Sequence, residues 1–209
     1  MESIGNVFCV GRNYQAHIEE LNNQRPKEPV WFMKPSHSVV VCGQDQRIIL
    51  PKDQGEIHYE VELVIQMKAD YLPNQPLETL VGTVALGLDL TLRDLQSQLK
   101  AKGLPWLRSK GFKNSAVLTE GVPYSSLGDF GETNFQLRIN DQIVQRGNTQ
   151  LMIFNLEELL ANCWEQFDLK AGDIIFTGTP AGVGGLTDGD KISMYLNDGC
   201  LGECVISLK

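Results

Sequence analysis

No run of apolar residues in this 209-residue chain reaches the roughly 18 needed to cross a bilayer. The first residues, "MESIGNVFCVGRNY", carry no basic stretch followed by a long apolar one, which argues against a secretory leader. Basic residues are too few to balance the acidic ones: 18 Lys and Arg stand against 26 Asp and Glu, a net charge of -8. Nucleic acid, whose phosphates require a basic surface, is a poor partner for such a chain. The five cysteines form no Cys-x-x-Cys pair and their number is odd, so neither a disulfide framework nor a zinc ribbon is indicated. A reduced, cytoplasmic setting fits them. There is no Ser/Gly linker, internal repeat or charge block, and the length suits a single domain over residues 1–209. "TGTPAGVGG" lacks both the Lys-Ser/Thr of a phosphate loop and the spacing of a dinucleotide fingerprint; its glycines permit a tight turn or an anion nest.

What is present is mostly short strands. "VFCVG", "VWFMKP", "SVVVCG", "RIILP", "HYEVELVIQM", "TLVGTVALGLDLT" and "DIIFTGTP" read as strands. "FQLRINDQIVQRG" and "DKISMYLNDGCLGECVISL" read as hairpins turning at Asn140-Asp141 and Asn197-Asp198-Gly199. Three helices are expected: a short one from about Asn13, one opening at Thr91 and Asp94, and an amphipathic one opening at Asn155 and Glu158. Strands in runs, without regular alternation with helices, indicate a strand-rich α+β fold rather than a doubly wound sheet.

Charged and polar residues stand in unusual places. Glu60 and Glu62 alternate with Tyr59, Val61 and Leu63, so they are expected to share one face with His58, about 6.6–6.8 Å apart at Cα. An open strand face solvates such carboxylates; a cation between them is the other reading. Asp89 is the lone charge in "VALGLDLT" and needs a partner if buried. Three carboxylates without cysteine make an all-oxygen set suited to Mg²⁺ or Mn²⁺. His17 and Glu20, three apart on a helix, form either an exposed pair or a carboxylate-oriented general base. Arg12, Lys34 and Lys110 follow apolar segments and together supply positive charge for a substrate carboxylate, unless each extends to water.

Taken in order, "CVGRNYQAHIEE", "FMKPS", "HYEVELVI", "GLDLTLRDLQ", "KGLPWLRSKGF", "MIFNLEELL" and "DIIFTGTPAGVG" resemble the fumarylacetoacetate hydrolase family, and most of all its short single-domain acylpyruvate hydrolases and oxaloacetate decarboxylases. The chain starts almost at "VFCVG", so the extra N-terminal domain of some relatives is not expected. The segment after Lys110, "GFKNSAVLTEG", departs from the pattern of many relatives. The resemblance implies a mixed β-sandwich roll, a divalent metal held by Glu60, Glu62 and Asp89, and a His17–Glu20 dyad on a lid helix over residues 13–23. It also implies a pocket lined by Arg12, Lys34, Gln96, Lys110 and Thr179, and a homodimer. The expected reaction is metal-dependent C–C hydrolysis of a 2,4-dioxo acid to pyruvate and a carboxylic acid, with His17 activating water and Lys110 or Lys34 steadying the oxyanion. Oxaloacetate decarboxylation and isomerisation of a hydroxy-diene diacid are the alternatives, because all three pass through an enolate. A non-catalytic dicarboxylate-binding protein is the alternative of another class.

Overall fold

The computed structural model describes residues 4–43, 46–128 and 130–209; the first three residues of the segment weighed as a leader lie outside them. The largest sheet runs in the order Val30–Lys34, Val7–Gly11, Ile174–Phe176, Val61–Met67, Val81–Asp89, Ala116–Leu118, Val39–Val41, with Val122–Pro123 also pairing to Val81–Asp89. Val7–Gly11 lies parallel to Ile174–Phe176, and Val39–Val41 parallel to Ala116–Leu118; the other pairings are antiparallel. A second sheet orders Gln142–Asn148, Asn134–Ile139, Lys191–Leu196, Gly199–Leu208 and Arg47–Leu50. A small third sheet joins Gly184–Gly185, Ile57–Tyr59 and Thr91–Leu92. The result is the strand-rich, mixed architecture the sequence indicates, with the helices at its periphery.

Packing explains the long apolar runs. Leu63, Ile65, Leu86 and Leu88 of the large sheet meet Leu137, Ile192, Met194 and Ile206 of the second sheet in one core. The opposite face of the large sheet is also covered, with Val64, Ala85, Ala116 and Phe176 in a second cluster. A sheet buried on both faces reads as continuous hydrophobicity rather than alternation. Gly87 follows from the same closeness: a Cβ there would sit 2.5 Å from the Phe176 ring and 2.8 Å from Val64.

Both hairpins form as expected. Asn140 and Asp141 take φ values of 50° and 66°, the left-handed pair that a two-residue turn requires. The helix Leu156–Phe167 starts with a full capping box between Asn155 and Glu158.

Other elements differ from expectation. The strand quoted from His58 to Met67 is broken at Glu60: Ile57–Tyr59 belongs to the small sheet and Val61–Met67 to the large one. All seven residues of Val61–Met67 are buried, so no solvated strand face exists there. His58 does not join the glutamates; it contacts Glu56 at 3.1 Å and Arg93 at 3.3 Å. The first helix spans only Gln15–Glu20 rather than 13–23. Asn13 is fully buried and spends its side chain on the backbone of Phe154 and Thr177, while Tyr14 bridges to Met152. Leu92, not Thr91, precedes the helix Arg93–Ala101, and the Thr91 hydroxyl instead meets Lys110.

Candidate active site

The break at Glu60 is what builds the site. Asp89 N–H donates to the Glu60 carbonyl at 2.9 Å, which locks the end of one strand against the gap between two others. Glu60, Glu62 and Asp89 are all buried, and each offers an oxygen within 4.8 Å of the others'. The three carboxylates singled out by their spacing therefore meet in the fold, although Glu60 and Glu62 converge through a strand break rather than along one regular strand.

Cations surround two of the three. Lys110 Nζ donates to Glu60 Oε2 at 2.8 Å, to Asp89 Oδ2 at 2.6 Å and to the Thr91 hydroxyl at 2.6 Å. Arg93 holds the other oxygen of Glu60 and donates to Gln96 Oε1 at 2.7 Å. Lys34 is almost wholly buried. Its Nζ lies 2.8 Å from Asp89 Oδ1 and donates to the carbonyls of Leu90, Ser115 and Lys110. Lys34 thus stands behind Asp89 and is not part of the cleft wall, contrary to a substrate-lining position. The reason is long-range: Pro35 ends its strand, and the backbone carbonyls of Leu90, Lys110 and Ser115, distant in sequence, draw the ammonium inward.

Among the described residues, Glu62 has no cation in direct contact. Gly178 N–H donates to its Oε2 at 2.6 Å. Gly178 has φ of 101°, so the "TGTP" turn can present that N–H only with a glycine at this position. Burial, followed by repulsion from Asp89 and Glu60, raises the Glu62 carboxyl well above its ordinary range, against the smaller pull of Gly178 and Lys110. Burial would also raise Glu60, but Lys110 and Arg93 outweigh it and hold that carboxyl below the usual range. Burial opposes the charge of Lys110, and its two carboxylates more than restore it, so the ammonium is held above its ordinary value.

This donor set fits a divalent cation. All three ligands are oxygen, and among the described residues one carboxylate has no cation in contact and Asp89 Oδ1 has no hydrogen-bond partner although Lys34 is near. Hard dications such as Mg²⁺ and Mn²⁺ take such ligands, with water completing the shell.

The cleft above the carboxylates is lined by Arg12, His17, Gln96, Lys110 and Thr179. His17 is buried, and its Nδ1 lies 3.2 Å from Glu20 Oε2. Burial lowers the imidazole's pKa below its ordinary 6.5, outweighing Glu60 and Glu20. Glu20 is fixed from its other oxygen by Gly182 N–H at 3.0 Å. Thr179 donates to the Val61 carbonyl and accepts from Gln145 Nε2, both at 2.9 Å.

Sequence reasoning missed three residues that hold the site, Arg93, Gln145 and Gly178, and one that lines the cleft, Lys100. Arg93 opens a helix, where an arginine ordinarily faces water. Gln145 lies on a distant hairpin, yet its Oε1 accepts from Val61 N–H at 2.8 Å, between the two glutamates. Only contacts across 84 residues of sequence reveal that role. A surer signal was available for Lys100, which lies one helical repeat beyond Arg93 and Gln96 on the same face.

Comparison with known proteins agrees with this geometry. Residues 6–206 match the family described as fumarylacetoacetate (FAA) hydrolase C-terminal. Oxaloacetate tautomerase YcgM of Escherichia coli is 38% identical over 194 residues, covering 91% of this chain and 88% of that protein. The mitochondrial oxaloacetate decarboxylase of Dictyostelium discoideum is 38% identical over 188 residues, covering 89% and 86%. A crystal structure of fumarylpyruvate hydrolase from Pseudomonas aeruginosa, in complex with Mn²⁺ and pyruvate, superposes with a TM-score of 0.89 at 33% identity, covering 99% of this chain and 91% of that one. With the match spanning nearly the whole sequence, the chain belongs to the fumarylacetoacetate hydrolase family and is an enzyme of that family.

Proposed function

We propose that this enzyme acts on oxaloacetate or a closely similar 2-oxo diacid, interconverting its keto and enol forms, with decarboxylation as a neighbouring outcome. The relatives' names support this chemistry over the C–C hydrolysis ranked first from sequence. The single observation that carries it is the meeting of a neutral, carboxylate-oriented His17 with a charged Lys110 and three oxygen donors in one cleft.

Glu60, Glu62 and Asp89 are the residues that would hold the metal. A bound Mg²⁺ or Mn²⁺ would supply positive charge against which an anionic oxygen is stabilised. His17 is the proton carrier. Glu20 accepts from Nδ1–H, which fixes the tautomer and leaves Nε2 with a free lone pair. Starting from the keto form, Nε2 takes a proton from the substrate's C3. The C–H electron pair moves into the C2–C3 bond, and the carbonyl pair moves onto the C2 oxygen. Protonation of that oxygen by the imidazolium gives the enol and restores neutral His17. Lys110 provides a fixed positive charge beside the developing negative one.

A second reading, hydrolysis of 2,4-dioxo acids, is favoured by the same dyad, since a base that can take a proton from carbon can also take one from water. A non-catalytic binder has no use for the dyad. A panel of oxaloacetate, acylpyruvates and hydroxy-diene diacids, assayed with Mg²⁺ and with Mn²⁺, tests the assignment. Rapid decay of enol-oxaloacetate absorbance that His17→Ala abolishes supports it; acylpyruvate cleavage with no effect on oxaloacetate contradicts it. The expected homodimer is part of the same proposal, and light scattering of the purified protein tests it. The five free thiols suit a reducing compartment such as the cytoplasm.

A further inference from the structure

The helix Arg93–Ala101 runs from the floor of the cleft to its mouth. Arg93, Gln96 and Lys100 fall at i, i+3 and i+7 and share the face that lines the cleft. Arg93 is occupied at the floor by Glu60 and Gln96. Lys100 is not occupied: its ammonium lies 5.1 Å from the centroid of the Trp106 ring, and among the described residues no carboxylate or carbonyl pairs with it. Arg12 lies in the same cleft with its guanidinium equally without a partner among the described residues. It also adopts φ of 63°, a conformation costly for a side chain of this size and typical of residues held for a function. Trp106 connects the two, since its ring approaches Gly11 next to Arg12 and carries Lys100 on its face. Burial depresses the Lys100 pKa, and so does repulsion from Arg12, Arg93 and Lys110, against a smaller pull from Glu60 below. Among the described residues, the mouth therefore gathers like charges with no carboxylate in contact with them.

We propose that Lys100, working beside Arg12, is a specificity-determining residue that reads the distal carboxylate of a dicarboxylic 2-oxo acid. The inference rests on the function proposed above and narrows it: the enzyme prefers diacids to 2-oxo acids with a neutral tail. Glu60 and Asp89 already occupy Lys110, Arg93 and Lys34, so among the described residues no bare cation remains at that depth. A neutral tail would leave the mouth's repulsion in place, whereas a carboxylate would relieve it.

The test compares oxaloacetate with its distal methyl monoester in the tautomerisation assay, using the Mn²⁺-loaded enzyme. Wild type favours the diacid. Lys100→Met keeps the apolar stem over Trp106 and removes the charge. It lowers kcat/KM for the diacid by roughly 10- to 100-fold, mainly through KM, and changes the monoester by less than about twofold. Lys100→Arg restores the preference. Inhibition by oxalate, which has no distal group, is unchanged in Lys100→Met, so that cleft and metal site are intact. An equal loss on both substrates, or no loss on either, overturns the inference alone. Wild-type enzyme that turns over neither substrate while cleaving acetylpyruvate overturns the functional reading and this inference with it.

Discussion

Gly178 N–H meets Glu62 Oε2 at 2.6 Å, and among the described residues it is the only hydrogen-bond donor that this buried carboxylate has. Glu60 and Asp89 each have cations of their own, so Glu62 is the member of the trio that most needs one.

The first prediction concerns Glu62→Gln. The substitution keeps an oxygen for Gly178 and deletes the charge. It should weaken Mn²⁺ binding at least ~10- to 100-fold while raising the metal-free melting temperature at pH 8 by about 2–6 °C. The sign follows from linkage. The folded state holds Glu62's proton more tightly than the unfolded chain, so this group costs stability as pH rises from its ordinary 4.5. Glu60 acts oppositely: its contribution is present above 4.5 and is lost as pH falls through its depressed value. Thermal melts of wild type and Glu62→Gln between pH 5 and 8, without metal, check the Glu62 sign; a variant that is less stable at pH 8 would count against an uncompensated charge.

A second prediction links pH to metal affinity. Below the raised pKa of Glu62 a dication must displace a proton, so Mn²⁺ affinity should fall as pH falls, approaching about tenfold per pH unit. Calorimetry between pH 5 and 8 in two buffers of different ionisation enthalpy would register the released proton. Affinity flat across that range would mean that Glu62 is not a ligand.

His17 gives a kinetic prediction. Its lowered pKa keeps it neutral at pH 7, so the activity should fall on the acid side only below its ordinary value of 6.5. His17→Ala should lose about 10²- to 10⁴-fold in kcat and keep its Mn²⁺ affinity. Glu20→Gln should lose less and should move the acid limb to lower pH, because it removes a contact that favours the imidazolium. Metal loss in His17→Ala would show instead that the helix organises the carboxylates.

Gln145 is predicted to hold the site together from behind. Its carboxamide joins Val61 N–H, the Thr179 hydroxyl and the Pro180 carbonyl, so it ties the strand between the glutamates to the turn that carries Gly178. Gln145→Leu should cost roughly 10- to 100-fold in Mn²⁺ affinity and activity. Melting curves of the metal-loaded protein would distinguish this from simple unfolding, and wild-type metal affinity in the variant would reject the role.

Those parts of the molecule that depend on neighbours in sequence were legible from sequence. The capping box of Asn155 and Glu158 and the turn at Asn140-Asp141 are local chemistry, and both form. Asp89 stood out because a single charge in an apolar strand has few explanations, and its ammonium partners bear that out. What escaped was decided at long range. Nothing in "HYEVEL" announces that the strand breaks at Glu60, because the break follows from two sheets competing for its ends. Lys34 reads as a pocket cation or a chain reaching for water, and only the folded positions of Leu90, Lys110 and Ser115 turn it inward. Thr91 looks like a helix cap until Lys110 arrives from 19 residues away.

Glu60, Glu62 and Asp89 together are predicted to hold one dication on which activity depends. The direct measurement is Mn²⁺ titration of chelator-stripped protein, followed by electron paramagnetic resonance, for wild type and Asp89→Ala. One tight site per chain in wild type, its loss in a folded Asp89→Ala, and activity that tracks occupancy are the predicted result. Undiminished Mn²⁺ binding in the variant, or full turnover by the stripped wild type, would contradict it.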